Sequence, residues 1–208
     1  MRLGRLSAGL LTTVIAFAVT AVPASAKREI LPKEFEASIS GKTADVAVGV
    51  QEFKFKPYTI KCKTATSTGE VTEGKLTALV DKVKYGGCTY GRKAEATVNQ
   101  IEFEFLGNGN FKILNEVKFR LIASKCTINV EPQEVGEEEL RKKEVTYSKD
   151  RSSLKIATDV HLTEEGQAGG LAYEFGRVCE KFEEPSGENG IYKGTLLDTL
   201  EGGTLGVS

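Results

Sequence analysis

The stretch from Tyr58 to Cys88 constrains this chain more than any other. Tyr58, Ile60 and Cys62 alternate with Thr59, Lys61 and Lys63, the period-2 pattern of a half-buried strand, so Cys62 points inward. Thr64 to Gly69 is rich in β-branched and small residues and extends toward Val71 before a turn at Glu73-Gly74. From Lys75 to Tyr85 the apolar residues Leu76, Leu79, Val80 and Val83 fit neither the helical nor the strand period, but β-branched and aromatic content favours strand. Gly86-Gly87 then turns the chain without a Cβ penalty and delivers Cys88. With a cysteine toward each end, the segment is expected to be one oxidised loop of a β domain.

The first 26 residues support an oxidising destination. Arg2 and Arg5 form a basic start, Leu10 to Val22 an apolar run, and Ala24-Ser25-Ala26 a small-residue cleavage site, together the pattern of an export signal. A transmembrane helix needs about 20 apolar residues and carries no such triplet. The residue after the expected cut is Lys27, not the cysteine of a lipid-anchored protein, and Gly202 to Ser208 shows no hydrophobic tail. The expectation is a signal peptide over 1–26 and a single disulfide-stapled β domain over 27–208, secreted, with no membrane anchor in the mature chain.

Taking 26 from 208 residues leaves 182, enough for one domain with a sizeable core. The cut removes two of the 28 basic residues, leaving 26 against 29 acidic ones, a formal charge of −3 that gives no reason to invoke nucleic acid. Four cysteines in an exported chain are most simply two disulfides, for which three connectivities exist. Cys62 to Cys88 and Cys126 to Cys179 is favoured, because it joins sequence neighbours without crossing loops. Chain entropy assigns these loops about 3.5 and roughly 4 kcal/mol as upper values. Zinc is disfavoured by the absence of any CxxC spacing and by His161 being the sole histidine.

Further strands are expected at Phe35 to Ile39, Ala44 to Val50, Cys126 to Val130, Glu144 to Tyr147, Leu154 to Leu162, Leu171 to Phe175, Ile191 to Leu200 and Thr204 to Val207. Lys27 to Pro32 is expected as a tail, Thr89 to Lys93 as a loop and Ser186 to Gly190 as a turn. Val98 to Leu121 is the clearest local pattern. Ile101, Phe103 and Phe105 alternate with glutamates, and Phe111, Ile113, Val117, Phe119 and Leu121 with basic residues, so a β-hairpin is predicted. A two-residue turn at Asn108-Gly109 would set Phe105 against Lys112, on the wrong face. A three-residue loop, Gly107 to Gly109 or Asn108 to Asn110, keeps the apolar faces together. Glu134 to Lys143, with acids leading and bases trailing, allows at most one short surface helix. The fold expected is therefore all-β, an antiparallel sandwich or barrel of about ten to twelve short strands.

The succession IKCKTATSTGEV, KVKYGGC, NGNFKIL, SKCTINVEPQ, VTYSKDRSSLKI and Tyr192-Lys193-Gly194-Thr195 resembles a set of secreted, cysteine-containing, β-rich proteins of soil actinobacteria whose activity is uncharacterised. The resemblance covers most of the mature chain and implies an exported β-rich fold. It implies no catalytic residue or cofactor, and the extra cysteine pair common in that set is absent from this sequence.

For chemistry, the sequence mainly excludes. There is no GxSxG elbow, no GxxxxGK[ST] or GxGxxG phosphate loop and no EF-hand loop. His161 falls on the polar side of its strand pattern, where a solvated histidine is the default, and oxidised cysteines are not nucleophiles. No catalytic, cofactor-binding or metal residue is assigned. The function expected is a non-catalytic scaffold, structural or ligand-binding, at the cell envelope or outside the cell, with an envelope component or polysaccharide as partner class. Tyr58, Tyr90, Tyr147, Tyr173 and Tyr192 are the candidate stacking residues for a carbohydrate. The alternative is a secreted hydrolase using a carboxylate pair, with Glu183, Glu184 and Asp198 as unranked candidates.

Overall fold

The computed structural model describes residues 34–135, 145–150, 152–159, 170–176, 178–179 and 187–208. Among them the chain is all-β, with nineteen strands and no helix. The first are β1 (Phe35–Ala37), β2 (Gly41–Ala47), β3 (Gln51–Phe55), β4 (Tyr58–Cys62), β5 (Thr64–Val71), β6 (Gly74–Leu76) and β7 (Ala78–Gly86). Next come β8 (Thr89–Tyr90), β9 (Ala94–Val98), β10 (Ile101–Leu106), β11 (Phe111–Ile113), β12 (Val117–Leu121), β13 (Cys126–Val130) and β14 (Gln133–Val135). The last are β15 (Val145–Asp150), β16 (Ser153–Asp159), β17 (Leu171–Phe175), β18 (Gly187–Leu200) and β19 (Leu205–Val207).

Eight strands close a barrel in the order β18, β17, β13, β12, β9, β8, β4, β3, and β3 returns to β18 with Phe53 opposite Tyr192. The 14-residue β18 outruns the barrel, so its second half, Leu196 to Leu200, is free to pair with β2, while β16 lies along its other edge. From β18 the sheet continues through β2, β5, β7, β10, β11 and β14 on one side and through β16 and β15 on the other. The Val145 N–H donates to Gly109 O at 3.0 Å and the Tyr147 hydroxyl to Leu106 O at 2.8 Å, returning β15 to the β10–β11 hairpin. β1 pairs with β6 and β19 in a separate small sheet.

Strict alternation builds the core. Phe53 and Phe55 of β3 turn inward with Gln51, and Ile128 and Val130 of β13 with Cys126. Phe53 is the hub: its ring centroid lies 4.6 Å from Tyr192, stacked, and 4.8 Å from Phe119, with Tyr85 edge-on at 5.2 Å. Burial of each such ring stabilises by about 1.5–3 kcal/mol. Disulfides join Cys62 to Cys88 and Cys126 to Cys179, the favoured pairing, and tie β4 to the turn before β8 and β13 to the segment after β17.

Several local expectations are corrected. Ten to twelve strands is too few, because runs that read as single strands are broken. Lys75 to Tyr85 splits at Thr77 into β6 and β7, and the second arm of the hairpin ends at Ile113, so Val117–Leu121 is a strand of the barrel wall. Asn115 makes that break, accepting from the Glu102 N–H and donating to Gln100 O, both at 2.8 Å. The hairpin itself uses the Gly107 to Gly109 loop, with Phe105 opposite Phe111. Thr89–Tyr90, expected as loop, is the short β8 between β4 and β9. Gly187 to Gly190, expected as turn, lies in β18. A Cβ on Gly190 would meet Leu171 O at 2.9 Å and Phe55 Cδ1 at 3.1 Å, so this glycine permits close packing rather than reversal. Gln51–Phe55 is a strand not anticipated, and Glu134, assigned to the helix, lies in β14. The expected signal peptide, Lys27 to Pro32, the rest of the span expected as helix (136–143), His161, Glu183 and Glu184 lie outside the described residues.

Candidate functional site

Of the three acids proposed from sequence, Asp198 lies among the described residues, and it is not alone. It stands directly opposite Asp45, and Asp45 opposite Ser67, across β18, β2 and β5. In the next row Thr43 faces Gly69, and Gly69 faces Asp81 of β7. One carboxylate oxygen from each of Asp45, Asp81 and Asp198 falls within 4.8 Å of the others. All three acids are interior, at 2%, 2% and 1% exposure, and Thr43 is at 3%.

The register that buries these acids opposes the hydrophobic pattern. In β2 the residues Thr43 and Asp45 face in, while Val46, next along the strand, is 63% exposed, and Val48 and Val50 beyond it are exposed too. Strand β7 likewise turns Leu79, Asp81 and Val83 inward and Val80 outward, which is why its apolar residues fit no period. Room for the cluster comes from Gly69. A Cβ there would lie 2.5 Å from Val80 O, 2.6 Å from Thr43 Oγ1 and 2.7 Å from Asp81 Oδ1, so any side chain displaces the oxygens gathered above it.

Buried polar atoms are ordinarily hydrogen-bonded, and this cluster departs from that rule. Ser67 Oγ donates a short hydrogen bond to Asp45 Oδ2. Asp45 Oδ1, Asp81 Oδ2, both carboxylate oxygens of Asp198 and Thr43 Oγ1, which stands beside Asp81 outside hydrogen-bond geometry, have no partner. None of the ion pairs among the described residues involves these acids. Burial drives the Asp45 carboxyl up to about 7, against the opposing pull of the Ser67 hydroxyl. Burial, and then the neighbouring Asp45, raise the Asp81 carboxyl well above the usual range, against the opposing pull of the nearby Thr43 hydroxyl.

The cluster faces the interior. On the opposite side of the same strands is a surface depression of about 510 Å³, lined by Lys42, Thr68, Glu70, Val80 and Lys82, the exposed residues that alternate with the buried ones, and by Gly69. The apolar void beside Phe53 and Tyr192 is about 10 Å³, no more than a single water requires. Neither space brings substrate to the carboxylates.

The tyrosines proposed for stacking do not share a surface. Tyr147, Tyr173 and Tyr192 are buried, the last between Phe53 and Phe103, whose centroids are 4.6 and 5.7 Å away. Tyr58 and Tyr90 are half-buried and meet edge to face at 6.3 Å. Sequence reasoning missed Thr43, Asp45, Ser67 and Asp81. One signal pointed to them: aspartate is depleted in strands, yet Asp45, Asp81 and Asp198 each sit well inside one. No family model, curated protein or solved structure matches this chain.

Proposed function

We propose that the chain is an exported, non-catalytic β-barrel scaffold, structural or ligand-binding at the cell envelope or outside the cell. The observation that carries this reading is the position of the Asp45, Asp81 and Asp198 cluster. Among the described residues these are the buried acids with raised or unpartnered carboxyls, the kind that acid–base chemistry requires. They point into the sheet interior, with the backbone of β2, β5 and β7 between them and the surface depression. A hydrolase working through a carboxylate pair needs both groups within reach of the scissile bond, and neither the surface depression nor the small apolar void is lined by these carboxylates. Export is supported by the two disulfides, which persist in oxidising compartments, and by the basic–apolar–Ala24-Ser25-Ala26 start of the chain.

The test combines intact-mass analysis of material recovered outside the cytoplasmic membrane with a hydrolysis screen on glycosides, esters and peptides. The expected species begins at Lys27 and carries four oxidised cysteines, and turnover does not exceed the buffer blank. Turnover abolished by Asp198→Asn, Glu183→Gln or Glu184→Gln would replace this reading with the hydrolase. A full-length species retained in the cytoplasm would remove its exported half.

A further inference from the structure

We propose that Asp45, Asp81 and Asp198, with the hydroxyls of Thr43 and Ser67, form an interior site for one hard divalent cation of the calcium class. The site spans four adjacent strands, β18, β2, β5 and β7, so an ion held there clamps the sheet where β18 leaves the barrel. This goes beyond the scaffold reading and does not depend on it.

Donor chemistry comes first. The polar side-chain atoms gathered in the cluster, from Thr43, Asp45, Ser67, Asp81 and Asp198, are oxygens, and an all-oxygen set with three carboxylates selects calcium, magnesium or manganese over zinc or copper. Geometry narrows the choice. Three oxygens no more than 4.8 Å apart leave a central point at most about 2.8 Å from each, which accommodates calcium–oxygen bonds of about 2.3–2.6 Å. Side chains fixed by sheet register suit calcium's irregular coordination better than the near-ideal octahedron at about 2.0–2.1 Å that magnesium requires.

The independent observation is the set of orphaned donors. Thr43, 3% exposed and uncharged, directs Oγ1 to the space over Gly69 that Asp81 Oδ1 also borders, close enough for its hydroxyl to act on Asp81, yet no atom there meets it in hydrogen-bond geometry. Both oxygens of Asp198, at 1% exposure, likewise accept nothing. An unpaired carboxylate is among the costliest groups to bury. Here three converge, no lysine or arginine among the described residues is paired to them, and the missing counter-charge is what a divalent cation supplies. Gly69 fits the same reading, since the volume a Cβ would occupy is bordered by oxygens of the proposed ligand set. A site this enclosed loads as the sheet closes, so binding is coupled to folding.

The experiment unfolds the full chain with its disulfides intact and refolds it in 1 mM calcium, 1 mM magnesium or EGTA, followed by desalting, elemental analysis and thermal melting. About one equivalent of retained calcium is expected, with a melting temperature roughly 5–10 °C above that in EGTA when calcium exceeds Kd about a hundredfold. In Asp81→Asn and Asp198→Asn, shown folded by circular dichroism and by disulfide mapping, calcium is not retained and the two melting temperatures coincide. No retained metal with identical wild-type melts overturns the site, and this arm decides the matter even where neither variant folds. An undiminished calcium effect in both folded variants also overturns it, placing the ion elsewhere. An equal gain with magnesium overturns the calcium-class assignment.

Discussion

Strand β18 carries two buried polar side chains six residues apart, Tyr192 and Asp198, each 1% exposed. Tyr192 sits at the barrel wall within a closed network. Its hydroxyl donates to Gln51 Oε1 at 3.0 Å and lies 2.9 Å from the Tyr85 hydroxyl, and Gln51 Nε2 reaches Thr195 O at 3.2 Å. Burial pushes the Tyr192 hydroxyl up to about 12, so it stays a neutral donor. Asp198, on the part of β18 that has left the barrel, meets two further acids and no donor. The same strand, alternation and burial thus give a finished polar network in one place and an unbalanced one in the other. What separates the two is the complement of partners that the neighbouring strands bring, not depth.

The comparison breaks most forcefully from the finished side. Phe53 touches Tyr192, Phe119 and Tyr85, so Phe53→Ala opens a cavity beside that network. The expected loss is about 3–5 kcal/mol, measured by denaturant unfolding with the disulfides intact. A loss below about 1 kcal/mol means that the aromatic hub is not the mainstay of the barrel.

On the unbalanced side, pH is the probe. In EGTA the Asp45 carboxyl, about 7 in the folded chain against 3.8 ordinarily, is faced by Asp81, Asp198, Ser67 and Thr43, and no basic group pairs with it among the described residues. A folded-state value above the unfolded one means that the fold binds the proton more tightly. The stabilisation is complete below about pH 4 and is lost as pH rises through 7. The change reaches up to about 4 kcal/mol. Melting wild type and Asp45→Asn from pH 4 to 8 isolates it from the surface acids: wild type should lose stability relative to the variant across this window. A constant difference between the two would show that Asp45 is ionised throughout.

How much of this was legible follows from the same contrast. Where inward positions are apolar, as in β10, β13 and β17, alternation located the strands, and neighbour pairing located both disulfides. The breaks at Thr77 and Asn115 escaped because nothing in a period marks where a strand changes partners. The cluster escaped for a stronger reason. Hydrophobic patterning equates polar with outward; in β2 the equation is reversed at Thr43, Asp45 and Val46, and in β7 it is broken at Val80 and Asp81, so no period marks Asp45 and Asp81 as interior. Asp198 entered only as one acid among many, because sequence spacing cannot show that β18 sets it opposite Asp45. The closed order of the barrel was illegible too, since it depends on Thr89–Tyr90, two residues that look like loop.

That reversal of β2 yields the smallest expected effect and the sharpest test of register. A one-residue slip of a strand moves every side chain to the other face. In the register seen here, Leu197 opposite Val46 and Asp198 opposite Asp45, Val46 is 63% exposed. Val46→Thr exchanges near-isosteric β-branched side chains and places a hydroxyl in water, so stability should change by no more than about 0.5 kcal/mol. Val83→Thr makes the same exchange at a fully buried position, where a hydroxyl without a partner costs about 1–3 kcal/mol. Paired melts of the two variants at one pH read the difference directly. If Val46→Thr cost as much as Val83→Thr, β2 would present its valines to the core and Asp45 to solvent, and the carboxylate cluster would not exist.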